Sequence, residues 1–112
     1  MKLSSKEVES ITVIGLEGSV LGGPDATALN DILHKLVDKR KKKVVLDLSG
    51  VESMNSSGLG MLIGALTTVR NAGGNLKLAR ASEKIEQLLV VTKLVTVFEH
   101  FDTVDEALSS FK

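Results

Sequence analysis

Residues 44–64 read VVLDLSGVESMNSSGLGMLIG. The apolar run Val44 to Leu48 has the character of a strand covered on both faces. A polar connection, Ser49 to Met54, follows. Asn55-Ser56-Ser57-Gly58 then leads into Leu59, Leu62, Ile63, Leu66 and Val69, which fall on one face of a helix. Amide and hydroxyl side chains at a helix start accept from backbone N–H groups that lack a partner within the helix. One such oxygen suffices for a cap, so two adjacent serines leave a hydroxyl for another role. Gly58, Gly60 and Gly64 cluster on the first turns of this helix, where each costs up to about 1 kcal/mol relative to alanine. Either the helix packs very closely on the sheet, or a partner backbone approaches it there.

Working outward, Ile11 to Glu17 (ITVIGLE) alternates loosely and carries four β-branched residues, which predicts a strand over about 9–17. A short edge strand near Met1 to Ser5 precedes it. Gly18 and the pair Gly22-Gly23 mark a loop. Pro24 and Asp25 suit the first turn of a helix, and apolar residues at 29, 32, 33, 36 and 37 carry that helix to about Lys39. The central helix spans about Ser56 to Asn71 and ends at Gly73-Gly74. Asn75 to Ala79 reads as a strand. Ser82 caps a third helix with Ile85, Leu88 and Leu89 inward. Leu94 to Glu99 reads as a last strand, and Thr103 with Glu106 forms a capping box for a final helix. Strands alternating with helices imply a mostly parallel sheet joined by right-handed crossovers. The expected fold is a single α/β domain over residues 1–112. Its sheet has four to five strands with an antiparallel N-terminal edge, flanked by four helices.

Composition narrows the chemistry. The 112 residues include 14 Lys+Arg and 14 Asp+Glu, and this zero formal net charge argues against a nucleic-acid binder. The one basic run, Lys39 to Lys43, suits a solvated helix end. With no Trp or Tyr and only three Phe, base stacking is not expected. No cysteine is present, so disulfides, thiolate chemistry and Cys metal ligands are excluded. His34 and His100 lack neighbours at metal spacing. No apolar run approaches the roughly 18 residues of a membrane span, and MKLSSKEVES lacks a signal-peptide core. A cytoplasmic protein without membrane insertion is expected. The serine pair does not sit in G-x-S-x-G, and no phosphate-binding loop G-x-x-x-x-G-K-[ST] occurs. No enzyme activity, cofactor or metal is expected.

Leu46-Asp47-Leu48-Ser49-Gly50-Val51 and Met54-Asn55-Ser56-Ser57-Gly58-Leu59-Gly60 resemble the signature of the STAS domain family, in particular its small anti-sigma factor antagonists. Asn71 to Leu78 and Ile85 to Val97 resemble the family's later elements. The resemblance implies partner switching. The unphosphorylated form binds an anti-sigma factor that is also a serine kinase of the histidine-kinase-like ATPase type. Phosphorylation releases it, and a PP2C-type phosphatase restores binding. The modified position would be Ser56, with Ser57 as second choice. Asn55, Ser56, Ser57, Gly58, Leu59, Gly60, Gly22 and Gly23 would form the partner surface. In this chain Asn55 stands where the family carries an acidic residue, Gly18-Ser19-Val20-Leu21 lacks the family's acidic loop residues, and Lys93 replaces a usual glycine. A non-switching STAS subunit of a transporter or signalling complex is the alternative, and a small nucleotide-binding module is a third reading.

Overall fold

A computed structural model describes residues 1–112. The order is β1 (Lys2–Val8), β2 (Ile11–Val20), α1 (Pro24–Asp38), β3 (Lys43–Met54), α2 (Ser56–Asn71), β4 (Asn75–Ala79), α3 (Glu83–Val91), a 3-10 turn at Leu94–Thr96, β5 (His100–Phe101) and α4 (Val104–Ser109). The five strands lie in sequence order across one sheet. β1 and β2 are antiparallel, and every later pairing is parallel. No helix is long and apolar enough to cross a membrane.

Alternation along the strands divides the apolar residues between two faces. Ile14, Leu16, Val44, Leu46, Leu48, Leu76 and Leu78 pack with Leu29 and Leu33 of α1, six residues from α2, and Ile85 and Leu89 of α3 in the main core. Ile11, Val13, Val45 and Ala79 point the other way and meet Ala107 and Leu108 of α4. Lys77, on that second face, is buried but fully engaged. Its ammonium donates to the Ser110 carbonyl (3.1 Å) and hydroxyl (2.7 Å), lies 3.2 Å from Glu99 Oε2, and sits 4.3 Å from the centre of the Phe111 ring. These contacts tie the last helix to β4.

The helix boundaries follow the cap chemistry. Ser82 Oγ accepts from the Ile85 N–H, and Thr103 Oγ1 accepts from the Glu106 N–H while donating to Glu106 Oε1. Four expectations need correction. β1 runs through Val8 and β2 through Val20, so Gly18 lies in a strand rather than a loop. The connection expected over Ser49 to Met54 is the second half of β3. The strand expected over Leu94 to Glu99 is a 3-10 turn, with β5 following at His100–Phe101. In that segment only Phe98 is fully buried, so its β-branched residues do not line a sheet face. Lys93 precedes the turn with φ +63°, the left-handed conformation that favours glycine.

Two carboxylates fasten neighbouring strands at the sheet's second half. Arg80 Nε donates to Asp47 Oδ1 at 3.0 Å, and its other arm reaches Oδ2, joining β3 to the end of β4. Burial works to raise the Asp47 pKa; the hydrogen bonds from Arg80 and Ser49 outweigh it and hold the group below its ordinary 3.8. The hydrogen bond from Asn75 leads the effects that lower Glu99 from 4.5; burial opposes them and Lys77 reinforces them. Both groups are more acidic folded than unfolded. Their contribution to stability is therefore complete above their ordinary values and is lost as pH falls through the lowered ones. Thermal melts from about pH 6 to about pH 3 should show wild type losing more melting temperature than the Asp47→Asn, Glu99→Gln double variant.

Candidate functional site

The site forms where β2 and β3 end and α2 begins. β3 gains one residue on β2 between the pairs Gly15↔Asp47 and Glu17↔Gly50, and another between Gly18↔Val51 and Ser19↔Ser53. These bulges turn the strand end. Asp47 Oδ1 accepts from the Ser49 N–H at 3.1 Å at the first bulge. A β-carbon on Gly50 would stand only 2.7 Å from Glu17 Cγ, so the motif's glycine permits the close crossing. Ser53 Oγ donates to Ser19 Oγ at 2.9 Å, binding the two strand ends together.

Asn55 leaves β3 with extended backbone and caps α2. Its Oδ1 accepts from the Gly58 N–H at 2.8 Å, and its carbonyl accepts from the Leu59 N–H at 2.9 Å. One side chain therefore completes the cap. The hydroxyls of Ser56 and Ser57, on exposed residues, make no hydrogen bond within the chain. The Asn55 N–H in turn donates to the Val20 carbonyl at 3.4 Å. That carbonyl faces Gly58 so closely that any β-carbon there would overlap it.

Gly22 and Gly23 complete the arrangement. Both have positive φ, +83° and +62°, and Gly23 precedes α1 without capping it through a side chain. A β-carbon on Gly22 would come within 2.9 Å of Ser57 Cβ, so the loop lies directly against Ser57. The structure thus brings all eight expected partner-surface residues to one place, but in two layers. Asn55, Ser56, Ser57, Gly60 and Gly23 are exposed, whereas Gly22, Gly58 and Leu59 are buried beneath them.

The three α2 glycines have different reasons. Gly58 serves the packing of the helix on β2. Nothing lies within 4 Å of a β-carbon placed on Gly60 or Gly64. These two open into a groove of about 530 Å³ between α1 and α2, lined also by Ala26, Asn30 and Thr68. Leu21, 51% exposed beside Gly22, adds an apolar residue to the surface. Sequence reasoning missed Leu21 because a lone leucine in a glycine-punctuated segment carries no periodicity. No group of three or more His, Cys, Asp or Glu side chains is placed to hold a metal ion.

Comparison with known proteins agrees with this geometry. The model of the STAS domain family matches residues 2–107. A Thermotoga neapolitana protein named as a candidate anti-sigma factor antagonist is 34% identical over 77 residues, covering 69% of this chain and 68% of its own length. A crystal structure of such a protein from Thermotoga maritima superposes with a TM-score of 0.86 at 26% identity, covering 96% of this chain and 92% of that one. The Bacillus anti-sigma factor antagonist SpoIIAA, at about 15% identity, has the same fold. Its unphosphorylated structure gives a TM-score of 0.73 over 98% of this chain and 97% of that one. Its phosphorylated structure gives 0.75 over 99% and 100%.

The layered site predicts opposite responses to the same substitution. Gly58→Ala should destabilise the fold by about 1–3 kcal/mol or unfold it, through the Val20 carbonyl. Gly60→Ala should stabilise it by roughly 0.5–1 kcal/mol, because space is open and alanine is the better helix former. Urea unfolding of the two variants measures both.

Proposed function

The chain belongs to the STAS domain family, and we propose that it is an anti-sigma factor antagonist of the cytoplasm, switched by phosphorylation at Ser56. The observation that carries this reading is the unengaged Ser56 hydroxyl at the exposed start of α2, on a helix already capped by Asn55. In the unphosphorylated form the protein binds an anti-sigma factor that is a serine kinase of the histidine-kinase-like ATPase type, and a sigma factor goes free. Phosphorylation ends the complex, and a PP2C-type phosphatase resets it. The protein acts by occupying its partner rather than by catalysis, and residues 1–112 work as one domain.

The physics favours this position. A phosphate at a helix start meets first-turn N–H groups without intrahelical acceptors and the positive end of the dipole. The fold can therefore accept the modification. A docked partner cannot do so as readily, because about two added negative charges must be desolvated or repelled at the interface. Ser56 is a better acceptor than Ser57, whose β-carbon is held against Gly22. Leu21 and the groove beside Gly60 and Gly64 extend the surface away from the serine, and the missing side chains let a partner helix or loop lie close. SpoIIAA, which shares the fold, is solved in both unphosphorylated and phosphorylated forms.

The test is a pull-down from the native cell extract with wild-type, Ser56→Ala and Ser56→Asp baits, read by mass spectrometry. A histidine-kinase-like ATPase should be retained by wild type and Ser56→Ala. Ser56→Asp should lose it, by more than about a hundredfold in affinity if the charge costs about 3 kcal/mol. Identical partners on all three baits would reject the switch and leave a non-switching STAS subunit.

A further inference from the structure

A second concave surface lies at the other end of the sheet. Lys43 and Asn75 open β3 and β4 side by side, whereas Ser56 follows the opposite end of β3. Here Arg40, Lys42 and Lys43 surround a cleft of about 500 Å³, floored by Gly73 and Gly74 and walled on one side by Phe111. That volume suits a small-molecule ligand.

The charges in this cleft are not spent within the chain. Lys41 pairs with Glu7 at 3.0 Å, and Lys112 pairs with Glu9 at 2.6 Å. Arg40, Lys42 and Lys43 have no carboxylate partner, and their side chains make no hydrogen bond to the protein. The C-terminal ends of α1 and α2 both come to this pole. Together they supply about one negative charge, which leaves about two of the three positive charges uncompensated. The backbone also fixes where the cations stand. Gly74 lies directly under the Lys42 backbone, with no room for a β-carbon. The Lys42 ammonium is 3.9 Å from the point that a β-carbon on Gly73 would occupy, so it reaches over the glycine floor. Arg40 takes the left-handed φ of +60° in the turn after α1 and lines the cleft.

We propose that this cleft binds a small polyanion, a ligand carrying a di- or triphosphate group, at a site separate from the serine surface. The ammonium groups of Lys42 and Lys43 and the Arg40 guanidinium neutralise the phosphates, with Arg40 able to engage two oxygens at once. The Phe111 ring supplies the apolar wall for the rest of the molecule.

Amide NMR titration of the full chain with sodium tripolyphosphate tests this, with sodium sulfate at matched ionic strength as the control. Saturable shifts confined to residues around 40–43 and 73–75 are expected, and the sulfate control should not reproduce them. The Lys42→Gln, Lys43→Gln double variant should bind about tenfold or more weakly with an unchanged melting temperature. If that variant melts early, Arg40→Gln replaces it with the same expectation. Shifts spread over lysines throughout the chain, equal shifts with sulfate, or undiminished binding by a folded variant would overturn the proposal. Sedimentation with phosphatidylserine vesicles, without a tripolyphosphate response, would also overturn it and assign the patch to a membrane surface.

Discussion

The Val20 carbonyl pressed against the α-carbon of Gly58 is the contact on which the rest of the site depends. It lets the start of α2 sit on the end of β2 without a side chain between them. The same carbonyl accepts from the Asn55 N–H, so one backbone oxygen fixes both the cap residue and the first helical turn. The two bulges in β3 bring the chain to that point, and Asp47 and Gly50 of the DLSG segment hold the first bulge. Leu59, Leu62, Leu66 and Val69 then anchor the helix in the main core.

A consequence is that the serines are presented rather than employed. Asn55 closes the cap, the core holds the helix, and the Gly22-Gly23 loop braces Ser57 from the side. Nothing structural is asked of the Ser56 hydroxyl. A group attached there alters the charge of a surface whose shape is already fixed by buried contacts. A rigid platform with an adjustable charge is what a binding switch of this kind requires.

Much of this was legible in the sequence because local chemistry and burial agree. The helix over Ser56 to Asn71 was readable from its apolar stripe and the glycines after it, and Gly73 does take φ +87° at its end. The caps at Ser82 and Thr103 were readable because a hydroxyl and the backbone N–H it accepts from lie three residues apart. Asn55 to Gly60 could be singled out as a surface, with Gly22 and Gly23 added by resemblance. Tertiary effects were hidden. Ser49 to Met54 looks polar, yet pairing with β2 through two bulges keeps it in the sheet. Leu94 to Glu99 looks like a strand, yet on the edge of β4 away from β3 the ladder pairs are formed by His100 and Phe101. The distinction between Gly58 and Gly60 lies in which neighbours surround them, and no spacing rule encodes that. The basic run Lys39 to Lys43 suited a helix end in the sequence; its arrangement around the Gly73-Gly74 floor emerges only in three dimensions.

The central claim is that charge at Ser56 changes binding without changing the fold. The most direct measurement is the backbone amide and α-carbon NMR spectrum of the protein phosphorylated at Ser56, compared with the unmodified protein. The account predicts shifts confined to the first turn of α2 and to the Gly22-Gly23 loop, with the core residues Leu62, Leu66, Leu46 and Leu78 unmoved. Shifts running the length of α2 and into β3 and β4 would contradict it, and would make the switch a conformational one.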